Sequence, residues 1–246
     1  MLDLQTFLLY FPRIIAGIKI TCLLSIMAFI AAFLLAMFIS WAKLAKNKYL
    51  AAAANIYTTV LRGIPDLIQL FLFFYGLQHL FLLLESNFSC LENIKINNFY
   101  IAVIALSLIY SAYLSETIKG AILLIKQQEI YAARAYAFSN QNIFFKIKLR
   151  QIMIYALTGL ENNTLVLLKT TALVSLLQID DLSKVIKEVA NNSFFINSNA
   201  SLRLFMYSLG AFIYLLISSA ILLFFLHLQH KYQLEDKENY ALIMSK

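Results

Sequence analysis

Charge is scarce in this chain. Only 13% of its 246 residues are charged, against roughly 25% in a soluble domain, which excludes an ordinary cytosolic globular protein. No polar stretch is long enough to fold alone, so a large extramembrane domain is excluded as well. Cysteine is limited to Cys22, inside an apolar run, and Cys90, in a short polar connection; the pair offers neither a disulfide scaffold nor metal-ligand spacing. A Gly-rich phosphate loop, an HExxH helix and a G-x-S-x-G turn are all missing. The chain is not expected to be an enzyme, and any ATP it uses must be bound by another chain. His79, His227 and His230 are isolated, and such histidines usually pack or sit at interfaces; no chemistry is assigned to them.

What is abundant is apolar surface. Hydrophobic residues make up 61% of the chain and the mean hydropathy is +0.76, so the solvent around most of the protein is expected to be lipid. Five stretches, about 14–41, 67–84, 99–118, 152–177 and 204–227, are long enough to cross a bilayer about 30 Å thick. These predict an all-α integral membrane protein, a single transmembrane domain over residues 1–246 with five transmembrane helices. The first run is too long for a signal peptide and is followed by Lys43, Lys46 and Lys48 as a stop. The net charge of +7 would suggest nucleic acid in a soluble protein, but in a membrane protein it marks cytoplasmic loops instead. Connections 42–66, 119–151 and 230–246 together carry thirteen Lys and Arg, while the opposite side carries five: Arg13, Lys95, Lys184, Lys187 and Arg203. That bias puts the amino terminus outside and the carboxyl terminus in the cytoplasm. Residues 85–98 and 178–202 read as polar outer connections.

Three segments carry more than span-forming information. Arg62, Gly63 and Pro65 precede the second span; Pro65 cannot continue a helix from its amino side and pushes Ile64 toward an extended backbone. The segment reads either as a helix start with a snorkelling arginine or as a break on which the second span pivots. From Lys126 to Ser139 the chain is rich in alanine, with Ala132, Ala133, Ala135 and Ala137 around Arg134, and Ser139 and Asn140 cap a second helix over 143–150. A helix of methyl groups fits a narrow protein groove; the same segment also suits the lipid headgroups, with Lys146, Lys148 and Arg150 near anionic lipid. The fourth span contains Glu161, Asn162, Asn163 and Thr164, then Lys169, Thr170 and Thr171, at depths where one charge costs about 2.5 to 3.5 kcal/mol on insertion scales. Asn162 and Lys169 are seven apart and share a helical face. The cluster reads as polar glue between helices or, more sharply, as a route for a charged solute.

These residues resemble the permease subunits of bacterial ATP-binding cassette importers for polar amino acids, of the histidine/arginine/glutamine type, over about residues 10–228. The likeness lies in Leu61-Arg-Gly-Ile-Pro-Asp-Leu-Ile-Gln-Leu-Phe71 with Tyr75-Gly76-Leu77, in Ser111-Ala-Tyr-Leu-Ser-Glu-Thr-Ile-Lys-Gly-Ala121, in Ala132-Ala-Arg-Ala135 with Ser139, Ile147 and Leu149, and in Leu168-Lys-Thr-Thr-Ala-Leu-Val-Ser175. The resemblance implies a MetI-like fold in the bacterial inner membrane. It implies that 119–151 forms a coupling loop, with Tyr131, Ala132, Ala133, Arg134, Ala135, Ala137 and Ser139 docking on a cytoplasmic ATP-binding subunit and Ala133 at the contact. It further implies a periplasmic amino-acid-binding protein and a second permease chain, the same or homologous. Glu161, Asn162, Lys169, Thr170, Thr171 and Ser175 are then expected along the solute pathway. No cofactor is expected in this chain, ATP and Mg belonging to the ATPase. The pattern is broken at Tyr131, Ala137 and Arg150, where the family has glutamate, glycine and proline. The competing class is a channel or scaffold without ATP coupling, whose cytoplasmic helix binds lipid.

Overall fold

The computed structural model describes the backbone of residues 4–87, 97–191 and 200–244, and the side chains of 10–86, 97–191 and 203–232. The order is α1 (Leu4–Lys43), α2 (Lys48–Gly63), α3 (Asp66–Asn87), α4 (Asn98–Leu123), α5 (Gln127–Ala135), α6 (Asn140–Ile143), a π-helical turn (Phe144–Lys148), α7 (Leu149–Val174), a 3-10 turn (Ser175–Leu177), α8 (Leu182–Ala190) and α9 (Ala200–Met244). No strand occurs among the described residues.

α4 is the centre. It packs on α1, α2, α3 and α7, and a helix touched on every side must be apolar or small all round. Against α1 the fit is made by small residues: Ala28, Ala32, Ala36 and Ser40 repeat every fourth position and are buried, facing a helix that buries Ala102, Ala105, Ala112 and Ser115. Small side chains at this spacing let two backbones approach closely. The Ser40 hydroxyl crosses the gap to the Ser115 carbonyl at 2.9 Å. The opposite face of α1 carries the large residues Leu23, Ile30, Leu34, Phe38 and Trp41, all exposed. This inversion of size, small inside and large outside, is what lipid as solvent selects. α7 closes on α4 through Gly159, where an added Cβ would come within 2.4 Å of Thr117 Cγ2.

Among the described residues four helices are apolar and long enough to cross a membrane, α1, α3, α4 and α9. α7 covers the fourth sequence span and has the length, 26 residues or about 39 Å, but its polar cluster sets it apart from them.

Two elements depart from the sequence reading. Connection 42–66 is mostly helix α2, which lies along α1 and α4 and buries Thr58 and Leu61. The Tyr57 hydroxyl donates to the Leu108 carbonyl, 2.8 Å away and halfway along α4, with the Ser111 hydroxyl at the same distance. α2 lacks a run of large apolar residues because Ala51 to Ala54 fill its first turns, so hydropathy alone missed it. The outer connection 178–202 contains α8, whose Leu182, Val185, Ile186 and Val189 are buried between α1 and α9. Gly17 admits it on one side, where a Cβ would lie 3.1 Å from Leu182 Cα. Asp181 caps it, accepting from the backbone N–H groups of Ser183 and Lys184 at 3.1 and 3.0 Å. Burial nevertheless pushes the Asp181 carboxyl up to about 6, against those two hydrogen bonds.

Candidate functional site

The coupling-loop candidates form a compact unit. Ile130 and Ala133 of α5 pack with Ile125 and Ile143 in a small core of their own. Tyr131, Ala132, Arg134, Ala135, Tyr136, Ala137 and Ser139 are exposed. Ala133, expected at the docking contact, is 6% exposed, its methyl group packed into this small core of its own chain. α5 ends in a turn where the N–H groups of Tyr136, Ala137 and Phe138 return to the carbonyls of Ala132, Arg134 and Ala133. Ala137 adopts φ 59°, a left-handed conformation normally taken by glycine. The position at which this chain departs from the expected glycine thus has a backbone that favours glycine. Ser139 caps α6 as expected, accepting from Asn142 N at 3.3 Å, and the π turn at 144–148 carries the chain into α7. The second helix expected over 143–150 is accordingly continuous with α7.

Toward the C-terminal ends of α1, α2 and α4 lies an ionic cluster. The Lys43 ammonium, its side chain fully buried, pairs with Glu116. Arg62 Nη1 lies 3.7 Å from the same carboxylate and Thr58 Oγ1 lies 3.5 Å away. In sequence, Lys43 reads as one of three stop lysines and Arg62 as a snorkelling residue or part of a break; one glutamate holds both.

Beyond Arg62 the chain breaks. Ile64, at ψ 140°, is extended, as the residue before a proline tends to be. Gln69 bridges the gap, its Nε2 donating to the Leu61 carbonyl at 2.6 Å and to the Ile64 carbonyl at 2.5 Å. Asp66 opens α3 and accepts hydrogen bonds from Tyr110 and Tyr113, each at 3.3 Å. Tyr110 also meets the Thr170 hydroxyl of α7, and the Arg62 guanidinium lies over the Tyr113 ring at 5.9 Å. The break is thus tied to α4 and through it to α7.

The pathway candidates of α7 separate into two groups. Glu161 accepts from Gln229 Nε2 of α9 at 3.0 Å. Asn163 donates to Thr117 at 2.9 Å, while Thr171 and Ser175 turn their hydroxyls back to the carbonyls of Leu168 and Ala172. These act as contacts within the bundle. Tyr155, Thr158, Asn162, Val166 and Lys169 form an exposed stripe along one side, as the seven-residue spacing of Asn162 and Lys169 predicts. Lys169 has no carboxylate within 4.0 Å among the described residues. The sequence reading missed Lys43, Tyr57, Gln69 and Tyr110 as members of this polar interior; an i, i+3 tyrosine pair on an apolar span was the available signal.

An apolar exterior, a polar and ion-paired interior and an exposed polar stripe on a long helix define a multi-pass helical membrane protein built to handle a polar solute. Residues 28–233 match the family described as "Binding-protein-dependent transport system inner membrane component", and the chain belongs to that family. It is 36% identical over 171 residues to the histidine/lysine/arginine/ornithine transport system permease protein HisQ of Salmonella typhimurium, covering 70% of this chain and 75% of that one. With the arginine ABC transporter permease protein ArtQ of Escherichia coli it shares 34% identity over 196 residues, 75% of this chain and 82% of ArtQ. Among solved structures, an amino acid ABC transporter crystallised with histidines superposes with a TM-score of 0.74 at 24% identity, covering 94% of this chain and 99% of that one. The MetNI methionine ABC transporter gives 0.63 at 14% identity, covering 94% and 99%. The MetI-like fold expected from the sequence is the fold observed.

Proposed function

We propose that this chain is the permease subunit of an ATP-driven importer for a polar amino acid, working as one of two permease chains that enclose the path. The observation that carries this reading is the exposed stripe of Thr158, Asn162 and Lys169 on α7. Left against hydrocarbon, Lys169 alone would cost about 2.5 to 3.5 kcal/mol, so the stripe requires water or protein. A second permease chain, the same or homologous, facing α7 across a solvated path supplies both. HisQ and ArtQ, by their names permeases for amino acids, support the substrate class.

The remaining parts follow from this. The exposed face of α5, with Tyr131, Ala132 and Arg134, is the docking surface for a cytoplasmic ATPase that binds ATP and Mg, and a periplasmic binding protein delivers the solute at the α8 side. Thirteen basic residues against five favour five passes, with α2 and α3 acting together in the second and α7 as the fourth, the amino terminus outside and the carboxyl terminus in the cytoplasm of a bacterial inner membrane. The channel or scaffold alternative rests on the basic residues Lys146, Lys148 and Arg150 near anionic lipid.

The test is reconstitution. Proteoliposomes holding the chain with its copurified ATPase and binding protein should take up a radiolabelled polar amino acid only with ATP inside the compartment where the ATPase resides. Lys169→Met should abolish uptake while the complex still assembles and melts at a similar temperature. Solute flux through the chain alone, without ATPase, would sink the proposal in favour of a channel.

A further inference from the structure

The first turn of α5 is capped from another helix. Lys126 is the N-cap residue and makes no side-chain cap bond. Glu129 stands three positions on, where a glutamate ordinarily reaches back to the N–H of the cap residue and closes a capping box. Here an amide of α7 stands between the two. Gln151 Oε1 accepts from the Lys126 backbone N–H at 3.3 Å, and Gln151 Nε2 donates to the Glu129 carboxylate. A backbone N–H needs an acceptor and a carboxylate needs a donor, so one planar amide answers both and its orientation is fixed. Gln151 is 8% exposed, and the Lys126 ammonium lies 3.9 Å from Glu129.

Gln151 lies in the first turn of α7, which starts at Leu149. It stands four residues before Tyr155, seven before Thr158 and eighteen before Lys169, spacings that put it on the side of α7 that carries the exposed polar stripe. The chain's own route from α5 to α7 runs instead through the turn at 136–138, α6 and the π turn at 144–148, a succession of short pieces. Ile130 of α5 and Ile152 of α7 share an apolar cluster, but apolar contact is non-directional and does not fix register. Resting on the permease reading above, we infer that Gln151 is the positioning residue that carries movement of the docked α5 to the solute stripe of α7, by completing the capping box of α5 in trans. The link can release. When α7 withdraws, Glu129 closes the box on Lys126 itself, so α5 stays capped and disengaging costs little. Coupling between two sites is reciprocal, and a solute that moves α7 thereby alters the capping of the helix held by the ATPase.

The test uses the reconstituted complex of the chain with its ATPase and binding protein, and reads amino acid taken up per ATP hydrolysed. Gln151→Leu, which keeps the bulk and removes both bonds, should lower that ratio about tenfold while solute-independent hydrolysis stays within about twofold. Gln151→Glu, which sets two carboxylates against each other, should lower it as far. Joined with Glu129→Gln, the same substitution restores a donor opposite an acceptor and keeps an acceptor for the Lys126 N–H. The reversed pair should therefore recover about half or more of the lost ratio. A merely structural role would change assembly and melting temperature but leave the ratio where it was. Unchanged uptake per ATP in Gln151→Leu overturns the inference. A reversed pair as poorly coupled as Gln151→Glu alone overturns it too, and decides the matter if Gln151→Leu does not assemble. Failure of the unmodified complex to take up solute with ATP is a different result, which overturns the permease reading and this inference with it.

Discussion

Lys43, the last residue of α1, is paired with Glu116 of α4, and its side chain is removed from solvent. A buried pair loses more when one partner is deleted than when both are, because the survivor remains charged. Glu116→Gln should lower the stability of the purified chain by about 2 kcal/mol, below the 3 to 5 of a fully buried pair because Glu116 is 33% exposed. Lys43→Met combined with Glu116→Gln should recover at least half of that loss in the same thermal melt. Additive losses would show that the two side chains act independently.

Ala137 holds a left-handed backbone at φ 59°, where an L side chain costs about 1 to 2 kcal/mol. Ala137→Gly should relieve roughly 1 kcal/mol of this strain, after allowance for the freedom glycine gains in the unfolded chain. The amides of Tyr136, Ala137 and Phe138, which close the turn, should then exchange with solvent about fivefold more slowly. Unchanged exchange would mean that the turn is not strained.

Ala132 and Ala133 are neighbours with opposite exposures, and aspartate at each should separate folding from docking. Ala133→Asp buries a charge among Ile125, Ile130 and Ile143, and should destabilise the loop by several kcal/mol even without the ATPase. Ala132→Asp should leave the melting temperature within about 2 °C yet reduce ATPase copurification. If Ala132→Asp copurifies normally and Ala133→Asp alone does not, the docking face has been drawn on the wrong side of α5.

Asp181 titrates at about 6 in the folded protein against 3.8 for the free side chain. A raised carboxyl favours the folded state when protonated, so its contribution is complete below about pH 4 and is lost as pH rises through 6. At 1.36 kcal/mol per unit the upper bound is about 3 kcal/mol. The unmodified protein should therefore melt at a lower temperature at pH 7.5 than at pH 5, and Asp181→Asn, which keeps the cap of α8, should flatten that interval. A parallel pH profile in the variant would assign the effect to other groups.

How much of this was legible in the sequence depends on how far each signal travels along the chain. The long apolar runs of α1, α3, α4 and α9 are local, and lipid makes them unambiguous. The side shared by Asn162 and Lys169 follows from helical period alone. α8 was within reach as well, since Asp181 and the spacing of Leu182, Val185, Ile186 and Val189 are a cap and an amphipathic stripe; the polar residues around it masked it. Which alanine of α5 faces inward was not readable, because its three methyl groups look alike until Ile125 and Ile143 choose one. The partners of Asp66 lie 44 and 47 residues away, and only tertiary structure brings them to it.

Gln69, on the α3 side of the Ile64–Pro65 step, holds the Leu61 and Ile64 carbonyls on its α2 side, which fixes the α2–α3 pair to one another at one point. α2 is then a rigid arm of 16 residues, about 24 Å long, pinned near one end. A tilt of about 10° at the clamp sweeps its far tip, beside Lys48, through about 4 Å by the geometry of such an arm. A small rotation at the break would thereby be converted into a displacement at the Lys48 end nearly as large as one helical turn.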